Sequence, residues 1–240
     1  MQHFPNIFFA PLQAAGFWQW SDFLRHQAVN NGREPLFINL DETVVSMSSP
    51  DAKGLVVSKR WWKGSMRPGQ PISMRERRSM VSHVGLCTHR TDAQGRLPQI
   101  FTGNTRCFTL PLMAALAAIL PSNVQFWRCT SSWNTSNLML EILTEISRVM
   151  AEFPSLQPIL VMDAAPIHLT RAVIQATAAL NIWLLIVPAR ATYALQPLDT
   201  HAFPPHKAFL RRAYRDAKDA NGVVTPLAWA KTLIMVVRQF

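Results

Sequence analysis

The sequence predicts an α/β chain with a mixed sheet flanked by helices, on three observations. Strand-like apolar runs follow one another early in the chain, at 36–47, 54–58 and 80–88, separated by turn-rich stretches. From residue 110 onward the pattern becomes alternating helix and strand. Two apolar runs, LFINL and PILVM, each lead directly into an acid, Asp41 and Asp163. A meander of strands followed by helix–strand alternation is the pattern of a mixed sheet covered by helices.

The elements follow in order. Residues 1–34 are aromatic and irregular. A short helix over 21–29 starts at Ser21, a good N-cap, and ends at Asn30-Asn31-Gly32. This lead-in is too short to fold alone and is expected to pack on the main domain, 35–220. Asp92-Ala93-Gln94-Gly95 supplies turn chemistry after the third strand run. LPLMAALAAIL at 110–120 reads as a helix, with Thr109 as N-cap and Pro111 in its first turn. A short strand at 124–127 follows. Residues 135–153 form a helix whose face is Met139, Ile142, Leu143, Ile146, Val149 and Met150, at three- and four-residue spacing. A strand at 158–162, a helix at 169–180, a strand at 182–187, a basic helix at 205–220 and a last helix from Thr225-Pro226 complete the chain. That last segment, 221–240, stops inside an apolar helical pattern, as in a fragment of a longer parent.

Composition bounds the function. The chain has 240 residues, of which 49% are apolar and 16% charged. That is one or two domains with a sizeable core, which excludes disorder as the main state. The longest apolar runs are too short to span a bilayer, so no membrane is expected. Lys and Arg number 24 against 14 Asp and Glu, a net +10 that favours a polyanionic partner. Three cysteines, Cys87, Cys107 and Cys129, match neither a zinc motif nor a disulfide framework and read as reduced thiols of an intracellular protein. The N-terminus lacks the basic region of a secretory signal, and no basic run is compact enough for a nuclear one.

With only 14 carboxylates, their placement is informative. Ligand sites in α/β sheets form at the carboxyl ends of strands. Asp41 and Asp163 converge there if their strands are central and parallel. Two carboxylates ~4 Å apart repel by about 4 kcal/mol at an effective dielectric of 20, and a hard divalent cation relieves that. A third acid, Asp199 in ALQPLD, lies between the last strand and the basic helix. Three such acids could hold two metals for in-line phosphoryl transfer. From spacing alone, the cap or turn former is the commoner role of an Asp at a strand end.

INLDET, WNTSNLMLEIL, LVMDAAPIH and LQPLDTHAFPPHKAFLRRAY occur in that order. This series resembles the DDE endonuclease domain of pogo/Tigger-type transposases, the group that includes centromere protein B-like and jerky-like derivatives. The resemblance covers about residues 35–218, and LQPLD followed by an aromatic and a basic helix is its most specific part. It implies a ribonuclease H-like fold. It further implies an acid triad of Asp41, Asp163 and Asp199 as catalytic and metal-binding residues, with Mg²⁺ or Mn²⁺ as cofactor, and DNA nicking and strand transfer as the chemistry. DNA as partner, a nuclear location and a compatible homodimer follow from the same source. The sequence departs from the family in four respects. Ala164 stands where an Asn follows the second acid, and the spacing to Asp199 is longer. Residues 102–130 look like an insertion, and the helix-turn-helix region that precedes the domain has no counterpart.

Two basic patches are candidates for nucleic-acid contact. Lys59, Arg60, Lys63, Arg67, Arg75, Arg77 and Arg78 face one acid and are interleaved with Trp61 and Trp62, which suits phosphate contact and base stacking. A solvated hairpin with its Trp packed inward reads equally well. Lys207, Arg211, Arg212, Arg215 and Lys218 lie on the basic helix, where Arg211, Arg215 and Lys218 share a face. DNA contact or a solvated face both fit. His168 orients the Asp163 loop, sits near phosphate or is a satisfied, partly buried histidine. Glu42 either supports the acids from beside Asp41 or pairs with an Arg. Trp133 and Met139 read as core. The leading expectation is a divalent-metal-dependent DNA-cleaving and strand-transferring enzyme. The rival is a relic that kept the fold and nucleic-acid or protein binding but lost the chemistry. An ordinary ribonuclease H-type enzyme fits the chain order less well.

Overall fold

The computed structural model describes residues 9–46, 80–130, 135–189, 191–218 and 224–237. The strand expected at 54–58, the whole basic patch from Lys59 to Arg78, and Trp133 lie outside the described residues.

A six-stranded mixed sheet runs through the molecule in the order β4-β3-β2-β1-β5-β6. Its strands are β1 (Glu34–Ser46), β2 (Met80–Thr88), β3 (Gln99–Asn104), β4 (Val124–Cys129), β5 (Leu156–Asp163) and β6 (Trp183–Val187). β1, β2 and β3 are antiparallel neighbours. β5 lies parallel to β1 on its other side, and β6 parallel to β5. An antiparallel meander whose first strand also pairs in parallel with the later strands is the ribonuclease H-like order that the resemblance implies. β4 extends the sheet beyond β3, in parallel.

The helices are α1 (Phe9–Asn30), α2 (Thr91–Gln94), α3 (Leu110–Ala117), α4 (Ser136–Met150), α5 (Arg171–Ala179), α6 (Thr192–Leu195), α7 (Phe203–Asp216) and α8 (Pro226–Val237). Three start as their sequences require. The Thr109, Thr135 and Thr170 side chains accept from the N–H groups of Leu112, Leu138 and Val173, satisfying donors that the first turn leaves open.

Two expectations change. Residues 1–34 are dominated by one 22-residue helix, α1, rather than a short one. It ends where expected, at Gly32, whose φ of 71° is the left-handed conformation that glycine takes without strain. The third strand of the meander is QIFTGN, β3, which polar residues at both ends obscure in the sequence. Residues 102–130 hold the end of β3, α3 and β4, so this segment builds part of the main sheet.

The two-residue period of the strands sorts the core into two faces. Leu36, Ile38 and Leu40 of β1 join Leu160 and Met162 of β5 beneath the apolar face of α4. On the opposite face there are two separate helical covers. α1 packs Phe17 and Leu24 on Ile159, Val161, Leu185 and Val187. α3, α7 and α8 pack on Val81, Phe101 and Phe126, with Trp229 and Leu233 of α8 fully engaged. Phe37, Asn39 and Asp41 alternate with the residues of the first face, so Asp41 emerges between the two covers.

Candidate active site

β1 and β5 are adjacent and parallel, and Asn39 pairs with Val161. Two residues further along each strand, past the last paired residues, stand Asp41 and Asp163. Asp199 arrives from above. It sits in a single π turn, Leu198–Ala202, placed between α6 and α7. Such turns are rare and are frequent at functional sites.

Asp41 is buried. Its Oδ1 accepts the Glu42 backbone N–H at 2.9 Å. Burial, then the Asp199 carboxyl lying against it within hydrogen-bonding reach, push Asp41 up to about 8. Two carboxyls in this relation share a proton at neutral pH or require a cation.

Asp163 has a different partner. Its Oδ1 lies 2.7 Å from His168 Nδ1 and accepts the Ala165 N–H at 3.1 Å. The His168 contact holds Asp163 below the usual carboxylate range. The other ring nitrogen of His168 lies 3.3 Å from Glu42. Burial alone would push His168 down, but its bonds to Asp163 and Glu42 outweigh that and carry it up to about 10. His168 thus lies between two carboxyl groups that favour its protonated form, and it ties β1 to the end of β5.

Hard oxygen donors at strand ends are the kind that Mg²⁺ or Mn²⁺ takes, and Asp41 lies where positive charge is lacking. On that chemistry Asp41 and Asp199 fit a divalent cation. Asp163 faces His168 instead. Among the described residues no group of three or more His, Cys, Asp or Glu side chains is gathered closely enough to hold a metal ion.

Two uncharged residues complete the arrangement. Asn39 of β1 and Gln196 of the segment that carries Asp199 are both buried, and each bonds across the gap between that segment and β1: Asn39 accepts from the Leu198 N–H, and Gln196 donates to the Leu40 carbonyl. Beside them a cavity of about 440 Å³ opens between α1 and the sheet, lined by Phe17, Trp18, Phe37, Val161 and Leu185, with Asn39 at its edge.

The α7 helix leaves directly from the Asp199 turn. Phe203, His206, Leu210 and Ala213 face the core. His206 stacks on His83 of β2, with ring centroids 5.0 Å apart, and His83 stacks on Phe101. Burial, and then the neighbouring charge of Lys207, push His206 down to about 4. Arg211, Arg212, Arg215 and Lys218 are exposed, and Lys207 Nζ lies 5.9 Å from the Phe203 ring centroid.

Residues 106–222 match the DDE superfamily endonuclease. The match begins beyond β3 and includes Asp163 and Asp199. Among solved structures, the chain is similar to the Mos1 transposase paired-end complex with left transposon end, at 14% identity and a TM-score of 0.43, covering 85% of this chain and 52% of that one. A pre-cleavage Mos1 transpososome gives 13% identity, a TM-score of 0.37 and coverage of 91% and 58%. The Mos1 mariner paired-end complex with Mn gives 16%, 0.34, and 85% and 56%. The chain thus spans a little over half the length of the structures it matches. No curated protein matches it.

Proposed function

We propose that this chain is a DDE-type catalytic domain that cleaves DNA strands and transfers them, using Mg²⁺ or Mn²⁺ in two-metal phosphoryl transfer. The observation that carries the reading is the meeting of Asp41 and Asp199, just past the point where the pairing of β1 with β5 ends, with Asp163 at the carboxyl end of the neighbouring β5. Divalent cations, when bound, supply an activated water or 3′-hydroxyl and neutralise the leaving oxygen. The chain's own residues do the rest. Asp41 and Asp199 present two carboxyls whose shared proton departs when positive charge arrives. His168 fixes the Asp163 carboxylate in its ionised form and is itself steadied by Glu42. The exposed arginines of α7, with the basic segment from Lys59 to Arg78, offer phosphate contacts for DNA. The pogo/Tigger subgroup, a nuclear location and a homodimer belong to the same proposal.

The test is nicking of supercoiled plasmid by the full chain with Mn²⁺, comparing wild type with Asp163→Ala. A loss of ~10³-fold is expected. Equal nicking by both proteins would sink the acid assignment.

One observation favours the relic reading. Asp163 is occupied by His168 and followed by Ala164, which has no amide to share the hydrogen bonding. Metal-independent DNA binding without nicking by wild type would decide for it.

A further inference from the structure

We infer that Asn39 is the positioning residue that sets the three acid-bearing segments against one another. The inference rests on the reading of Asp41, Asp163 and Asp199 as the acid set. Asn39 is 4% exposed. Its Oδ1 accepts the Leu198 N–H at 2.8 Å. Its Nδ2 donates to the Val161 carbonyl at 3.1 Å. Leu198 immediately precedes Asp199, Val161 stands two residues before Asp163, and Asn39 itself stands two residues before Asp41. One amide therefore bonds within two residues of every acid, across sequence separations of 122 and 159.

Chemistry restricts what can do this. The task needs a donor and an acceptor on one short planar group, directed at two different segments. Aspartate would set a second acceptor against the Val161 carbonyl. Leucine has the shape but neither group. Serine is too short to reach both partners. Gln196, 1% exposed, adds a parallel tie, donating from Nε2 to the Leu40 carbonyl at 3.2 Å, one residue before Asp41. The Asp199 turn is thus stitched to β1 by two amides that carry no charge and leave the electrostatics of the acids alone. Without Oδ1 the Leu198 N–H loses its acceptor in a buried place, and the turn gains by lifting toward water.

The test compares wild type with Asn39→Leu in the full chain, by amide hydrogen exchange and by Mn²⁺ binding followed by electron paramagnetic resonance. Exchange at Leu198 is expected to rise at least about tenfold while α4 and β6 keep their protection. Mn²⁺ affinity is expected to fall about 10–100-fold, the usual effect of losing a partner behind a ligand. Unchanged exchange at Leu198, an equal rise throughout the chain, or unchanged Mn²⁺ affinity would each overturn the assignment. Asn39→Ser carries the same comparison if the leucine variant does not fold. A wild type that binds no Mn²⁺ would overturn the metal reading of the acids, and the exchange contrast alone would then decide the tether.

Discussion

Asp41 is buried and lies against a second carboxyl, two conditions that both disfavour its charge. Its proton is held more tightly in the folded chain than in the unfolded one. The folded state therefore loses stability as pH rises from the ordinary carboxylate range through about 8. Asp41→Asn removes that dependence. Urea denaturation should find the variant about as stable as wild type near pH 4 and more stable by about 2 kcal/mol or more above pH 8, since one pKa unit is worth about 1.4 kcal/mol. A gap that does not grow with pH would count against the shared proton. His168 works in the same sense, over a higher pH range. Its raised pKa makes its contribution complete below its ordinary value of 6.5 and lost as pH rises through about 10. Asp163, depressed by the same contact, gives up its share only as pH falls below the ordinary carboxylate range. His168→Gln should cost roughly 2–3 kcal/mol at pH 6, the low end for a broken buried pair because Asp163 is one-third exposed. Thermal melts of both proteins should converge toward pH 10.

At the scale of elements, the position of Asp199 depends on how α7 seats on β2. Gly85 of β2 pairs with Asp41 in the register. A Cβ at Gly85 would sit 3.1 Å from the Phe203 ring and 3.5 Å from Leu198. Gly85→Ala should cost about 1–3 kcal/mol by overpacking, read as a shift in denaturation midpoint, and should disturb the Asp199 turn together with α7. The strands and helices that frame this site were legible where local pattern decides. LFINLD and PILVMD announce buried strands that carry acids, and Thr109, Thr135 and Thr170 stand before apolar periodic runs. β3 was not legible, because its burial comes from its neighbours on either side rather than from an apolar sequence. Nor was the length of α1, whose Trp18, Trp20 and Phe23 lie exposed and blur the helical period. The positions of the three acids could be anticipated from strand ends and from the ordered motifs. What each acid faces could not, since His168 binds Glu42 across 126 residues and Asn39 binds Leu198 across 159. Short-range spacing carries no information about either bond.

At the scale of the whole molecule, the acid site and the basic helix α7 follow one another directly along the chain. The acid site opens between two helical covers, and α7, which leaves directly from the Asp199 turn, carries half-exposed Lys207 and exposed Arg211, Arg212 and Arg215. On the proposed function, a DNA backbone lying along α7 passes the acid site. Each phosphate neutralised releases condensed counterions and steepens the fall of affinity with salt by about 0.9 in log–log slope. The double variant Lys207→Glu/Arg211→Glu should therefore lower the slope by about 2, as measured by fluorescence anisotropy with a short duplex between 50 and 200 mM salt. The loss should be equal for duplexes of different sequence, because phosphate contacts position the helix without reading bases. Arg211 points outward and Leu210 and Ala213 keep the core side filled, so the fold should survive these changes, and an unchanged melting temperature checks that. If the slope does not move, the DNA-binding charge lies elsewhere, with the Lys59 to Arg78 segment as the remaining candidate. If the slope falls while Mn²⁺-dependent nicking persists at low salt, α7 serves binding and the acids serve cleavage as separable parts of one domain.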